Sequence, residues 1–266
     1  MRTLRIENLR KSPCISSYFS HCSSNFDVLK RSIFSNSQTL KVPLFQLTDD
    51  PYLFPNPELA GDSGLLAIGG DLSAERLISA YNLSFFPWYN PGEEILWWTP
   101  NPRIVLYTEN LKVHKSMRPY FNQKKFEVTY NQDFLSIVLG CKTNKRGEKH
   151  GTGTWITTDI TEAYLRLHKL GWAHSVEVWK DGEIVGGLYG LAIGNIFFGE
   201  SMFAKVSNAS KFGFISLVRK LQSLGFTLID CQQETGHLKS LGASAIPRKD
   251  FLKILDDNKF EKTIIN

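Results

Sequence analysis

Leu228-Ile229-Asp230-Cys231-Gln232 is the stretch on which the fold turns. Two apolar residues lead into an acid and an amide two positions apart. The run follows Gly225, a helix stop, and reads as a buried strand emerging at its C-terminal end. Side chains alternate along a strand, so Asp230 and Gln232 are expected on one face and Cys231 on the other. A carboxylate beside an amide can hold an amine and a carbonyl. The same residues also suit a capped strand end with a solvated acid, and on this stretch alone that plainer reading has the advantage.

Working upstream, Asn208 or Ser210 caps a helix running to about Ser223. Before it, Asn195–Phe203 reads as a strand ending in Gly199-Glu200-Ser201-Met202-Phe203. Ser175–Trp179 alternates as a strand, Asp181-Gly182 makes a hairpin turn, and Ile184–Ala192 returns. Gly153-Thr154-Trp155-Ile156-Thr157-Thr158 opens a helix in which Ala163, Tyr164, Leu167 and Leu170 recur at helical spacing, with Gly171 as its stop. Downstream, a short helix begins near Pro247-Arg248, where proline suits the first turn. Helix, hairpin, strand, helix, strand describes an α+β domain with a mixed sheet.

The N-terminal half is organised differently. Pro43, Pro51, Pro55 and Pro57 mark a loop. Gly69-Gly70 allows a tight turn, and Ser73 caps a helix over roughly 74–82. A glycine pair before a helix can cradle phosphate, but neither the G-x-G-x-x-G nor the P-loop spacing is present, so a turn is expected. Residues 85–103 gather Phe85, Phe86, Trp88, Tyr89, Trp97 and Trp98 beside Pro100, Pro102 and Arg103. These rings can stack on bases while Arg103 holds a phosphate; they can equally form a small core. Two basic clusters follow: Lys112, Lys115, Arg118, Lys124 and Lys125, then Lys142, Lys145, Arg146 and Lys149. Such runs are ordinarily solvated surface, yet a local patch of this kind can follow a phosphate backbone.

Composition bounds the rest. The 266 residues suffice for one large domain or a medium and a small one, and 42% apolar content supports a core. No run has the length of a membrane span. The formal charge of +5 misleads, because residues 1–40 carry +4 of it and leave the body nearly neutral. That serine-rich segment fits an organellar transit peptide, interrupted by Glu7 and Asp27, or a disordered extension, and is set aside from the fold. Cys14, Cys22, Cys141 and Cys231 form no CxxC pair, and no histidines stand at ligand spacing, so reduced thiols and no metal are expected.

Taken in order, GLLAIGGDLS, FPWYNPG, ILWWTPNPR, GTWIT, EAYLRLHKLGWAHSVEVW, GGLYG, FGESMF, NASK, LIDCQ and LGASAIPR resemble the bacterial leucyl/phenylalanyl-tRNA–protein transferases over residues 60–250. The resemblance implies a small N-terminal domain (44–104, after a 1–43 extension) joined to an acetyltransferase-like, or GNAT-like, catalytic domain (105–266). It implies transfer of Leu, Phe or Met from aminoacyl-tRNA to the N-terminal Arg or Lys of proteins, marking them for degradation, by a cytoplasmic monomer. Asp230 and Gln232 match catalytic positions, with Glu200 a third polar candidate for the acceptor. Leu188, Phe197, Phe214, Leu217 and Ile229 match the aminoacyl side-chain pocket. Trp88 and Trp155 match the tryptophans flanking the terminal adenosine, and Lys112, Lys115, Arg118, Lys124 and Lys125 would follow the tRNA backbone. The ester donor is already activated, so no cofactor, ATP or metal is called for. Ser84-Phe85 stands where the family usually has Gly-Ile, and several pocket positions differ in size, which bears on the preferred amino acid. Three rivals remain. An acyl-CoA-dependent GNAT enzyme would need a pyrophosphate loop that is missing. A Cys231 nucleophile would need a histidine nearby. A non-catalytic tRNA-binding module would need only the basic and aromatic surface.

Overall fold

The computed structural model describes residues 43–143 and 154–265, together with the strand Thr3–Leu4. The transit-or-extension expectation for residues 1–40 therefore lies, apart from that strand, outside the described residues, as do Lys145, Arg146 and Lys149. Two compact units are present: residues 1–101 with 145–155, and residues 102–144 with 156–266.

The first unit holds a five-stranded sheet. Its strands are β1 (Thr3–Leu4), β2 (Leu44–Gln46), β3 (Leu65–Ile68), β4 (Phe86–Pro87) and β5 (Leu96–Trp98), in the order β1-β2-β3-β5-β4. Helix α1 (Ala74–Asn82) starts where expected, and the Ser73 hydroxyl accepts the Arg76 backbone N–H at 3.3 Å. The Gly69-Gly70 pair, at φ +80° and +77°, is a turn: Gly69 donates to the Ile95 carbonyl and accepts the Trp97 indole N–H. Most of the aromatic run is core. Phe85 and Trp97 are fully buried, and Phe54 stacks on Phe85 at 5.2 Å while meeting Trp97 edge-on at 5.3 Å.

The second unit is built on a seven-stranded mixed sheet. Its strands are β6 (Arg103–Tyr107), β7 (Glu127–Tyr130), β8 (Ala173–Lys180), β9 (Glu183–Ile193), β10 (Ile196–Ala204), β11 (Leu228–Gln232) and β12 (Ser244–Ile246), in the order β12-β6-β11-β10-β9-β8-β7. Helices α2 (Arg118–Asn122), α3 (Phe134–Thr143), α4 (Thr158–Lys169), α5 (Ala209–Ser223), α6 (Gly236–Ser240) and α7 (Arg248–Asp257) accompany it. The β8–β9 hairpin turns at Asp181 and Gly182, both at positive φ, as a type I′ turn requires. Thr157 caps α4 by accepting the Ile160 N–H. The α+β expectation with a mixed sheet is met. Strands β6 and β7 and helix α3 had no forecast in the sequence.

The parallel pair β10–β11 positions the site. Its ladder ends at Phe198 opposite Asp230, although β10 runs on to Ala204 and β11 to Gln232. At that point both strands bulge. The β9–β10 register slips between Gly199 and Ser201, which isolates Glu200; the β6–β11 register slips between Asp230 and Gln232, which isolates Cys231. This corrects the expected alternation. The bulge and a Gln232 φ of +60° interrupt the regular strand one residue before its end.

Candidate active site

Strand β11 lies between β6 and β10, so the side chains at its C-terminal end meet residues from both neighbours. Asp230 turns toward β6. It is fully buried with Arg103, whose Nε donates to Oδ1 at 2.8 Å and whose Nη2 donates to Oδ2 at 2.6 Å. The Asp230 Oδ1 also accepts the backbone N–H of Gln232 at 3.0 Å. Arg103 thus has a different job from the phosphate contact expected of it: the guanidinium is buried, paired with Asp230, and lies 4.9 Å over the Phe251 ring of α7.

Gln232 turns toward β10. Its Nε2 donates to Glu200 Oε1 at 2.8 Å. Only the amide nitrogen can donate to a carboxylate, so this contact fixes the amide orientation. The other Glu200 oxygen, Oε2, accepts the Tyr164 hydroxyl at 2.8 Å. Tyr164 is fully buried on α4, edge-on to Tyr189 at 5.5 Å. The three candidates Asp230, Gln232 and Glu200 are therefore brought together, with two partners that sequence reading missed. Tyr164 had shown only its helical spacing; Arg103 is 127 residues from Asp230 in the chain.

The setting of Cys231 disfavours the thiolate that a nucleophile needs. Burial pushes its thiol well above the ordinary range, the Asp230 charge adds to that, and Arg103 offsets it only in part. Its Sγ leans on the Ile229 carbonyl at 3.8 Å.

The five expected pocket residues, Leu188, Phe197, Phe214, Leu217 and Ile229, are all buried in one apolar cluster of the second unit. Trp88 and Trp155 belong to the first unit. Trp88 is half-buried, edge-on to Trp98 at 5.9 Å, and its carbonyl accepts the Trp98 indole N–H at 2.7 Å. Lys112, Lys115, Arg118, Lys124 and Lys125 are exposed on the second unit. Among the described residues no group of three His, Cys, Asp or Glu could hold a metal ion.

Comparison with known proteins adds to this geometry. The model of a family described as leucyl/phenylalanyl-tRNA protein transferase matches residues 105–256, and the model of that family's N-terminal domain matches residues 70–101. The chain is similar to proteins named leucyl/phenylalanyl-tRNA–protein transferase. It is 54% identical to that of Pseudomonas fluorescens SBW25, covering 74% of this chain and 85% of the relative. It is 55% identical to that of Christiangramia forsetii, covering 76% and 95%. Among solved structures, L-PGS from Bacillus licheniformis aligns remotely, with TM-score 0.37 and 12% identity over 62% of this chain and 53% of that one.

Proposed function

The chain belongs to the leucyl/phenylalanyl-tRNA protein transferase family, and on that premise we propose that it moves leucine or phenylalanine, with methionine a third donor group, from aminoacyl-tRNA to the N-terminal Arg or Lys of a protein, marking that protein for degradation. The acceptor amine attacks the ester carbonyl. A C–N bond forms, the C–O bond to the tRNA 3′ end breaks, and the proton lost by the amine ends on the departing hydroxyl. An α-amine has a pKa near ~8, so a positioned acceptor suffices to draw off its proton at neutral pH.

The observation that carries this reading is the Gln232–Glu200 contact at 2.8 Å. With its nitrogen committed to Glu200, Gln232 offers a carbonyl oxygen to the N–H of the attacking amine. The Glu200 carboxylate suits the cationic acceptor. Asp230 has both oxygens on Arg103 and acts by orienting Gln232, in place of the direct contact with the amine that sequence suggested. The apolar group of Leu188, Phe197, Phe214, Leu217 and Ile229 would receive the aminoacyl side chain. Trp88 and Trp155 would flank the terminal adenosine, and Lys112, Lys115, Arg118, Lys124 and Lys125 would follow the tRNA backbone. The same reading keeps a small domain over 44–104, a catalytic domain over 105–266, a monomer, and a cytoplasmic or organellar setting. No helix among the described residues is long and apolar enough to cross a membrane.

The test is a purified transfer assay with radiolabelled aminoacyl-tRNA and a peptide bearing N-terminal Arg or Lys, without ATP or CoA. Label is expected in the peptide from Leu- or Phe-tRNA. Failure with every apolar aminoacyl-tRNA would return the chain to a tRNA-binding module, and dependence on acyl-CoA would favour the acetyltransferase reading.

A further inference from the structure

We infer that Arg103 is a positioning residue for transfer, acting through Asp230 to hold Gln232 in the left-handed backbone conformation that aims its amide at Glu200. The inference rests on the reading that Gln232 faces the attacking amine.

Arg103 is the first residue of β6 and grips Asp230 with two parallel hydrogen bonds, at 2.8 and 2.6 Å. A guanidinium fork fixes the plane of a carboxylate in a way that a lysine ammonium does not. Fixed in that plane, Oδ1 meets the Gln232 N–H at 3.0 Å. Gln232 needs such a hold, because φ +60° is a conformation that non-glycine residues adopt only when their surroundings impose it. From there its Nε2 reaches Glu200 at 2.8 Å across the gap where the β10–β11 ladder has ended.

Stability alone does not call for this arrangement. A buried ion pair can commonly be replaced by apolar residues without loss of stability. What an apolar pair could not supply is an oxygen fixed on the Gln232 N–H. The Phe251 ring, 4.9 Å beneath the guanidinium, holds the fork from the other side.

A double-mutant cycle tests this, using single-turnover transfer to an Arg-peptide at saturating Phe-tRNA, with donor Kd and melting measured beside it. Arg103→Lys keeps the charge and loses the fork. It should lower the transfer rate about tenfold or more while donor Kd stays within about twofold, since misaiming one reacting group by an ångström is costly. In a Gln232→Ala background the same change should cost little more, because the two act in series. An additive loss, or wild-type transfer by Arg103→Lys, overturns the role of Arg103 and leaves Gln232 in place. Full activity in Gln232→Ala overturns the reading of Gln232 itself and the inference with it. If Arg103→Lys does not fold, Arg103→Met with Asp230→Asn removes both charges together; wild-type transfer by that folded variant also overturns the inference.

Discussion

Cys231 and Arg103 show how differently single residues yield to sequence. The spacing of LIDCQ marks Asp230 and Gln232 as a pair on one face, but the bulge at Cys231 and the positive φ of Gln232 turn the two side chains to different partners, Arg103 and Glu200. The raised thiol of Cys231, caused first by burial, sets it apart from covalent chemistry. Cys231→Ala should therefore keep transfer within a few-fold of wild type, and rapid quench should trap no thioester; loss of transfer in a folded Cys231→Ala protein would revive the nucleophile. Arg103 was misread because its partner is 127 residues away and proximity to a tryptophan-rich run suggested a phosphate. Ser84 is another residue whose meaning needed the backbone. It sits at φ +71°, the left-handed region that glycine enters freely, which accounts for the family's glycine there. Its buried hydroxyl bonds that of Thr99 at 2.9 Å. This departure therefore has a consequence for the backbone of the first unit.

At the scale of elements, strands with clean alternation and a turn between them were legible: β8, β9 and β10, with the Asp181-Gly182 hairpin, fall within two residues of expectation. Helices announced by caps, α1 and α4, were equally plain. β6 and β7 were hidden, because one is buried too uniformly to alternate and the other follows a run read only for its charge. That run gains meaning from α5. Phe121 of α2 stacks on Phe212 of α5 at 4.3 Å, and the α5 cation Arg219 lies 4.5 Å over Phe121. Lys125 lies 5.3 Å over Tyr120, and Lys220 lies 5.8 Å over Tyr130. The basic face of residues 112–125 thus continues onto α5 through Arg219 and Lys220. If it follows a phosphate backbone, each cation contributes roughly 0.7–0.9 to the slope of log Kd against log salt. Arg219→Gln with Lys220→Gln should flatten that slope for tRNA by about 1–2 and leave melting nearly unchanged. An unchanged slope would remove α5 from the tRNA-binding face.

For the molecule as a whole, the division into a small and a larger body was implied by the family resemblance and could not be anticipated from composition or spacing. Nor could the way the chain's last residues close the second unit. Ile265 is fully buried, Thr263 bonds the Gly194 carbonyl, and the Ile265 carbonyl accepts the Asn131 side-chain amide. The same amide donates to Nδ1 of His174 at 3.1 Å, so His174 must be neutral and accept there. Burial, helped by the nearby charge of His168, lowers His174 from 6.5 to about 4, and the backbone of Thr263 and Gly171 opposes this without prevailing. The unfolded chain takes up a proton near pH 6.5 and the folded one does not until about pH 4. Stability from this group is therefore complete above pH 6.5 and is lost as pH falls toward 4, by roughly 3 kcal/mol in all. Below that no further loss comes from it. His174→Asn offers Asn131 an oxygen that cannot be protonated in this range. It should lower stability at pH 7.5, through lost packing, yet lose distinctly less between pH 6.5 and 4.5 than wild type does. Urea unfolding of the second unit at these pH values, followed by a probe in its sheet, gives the comparison, and carboxylates titrating in both proteins cancel from it. Equal acid sensitivity in the two would mean that His174 is already protonated in the folded state, and that Asn131 holds the C-terminal residues without it.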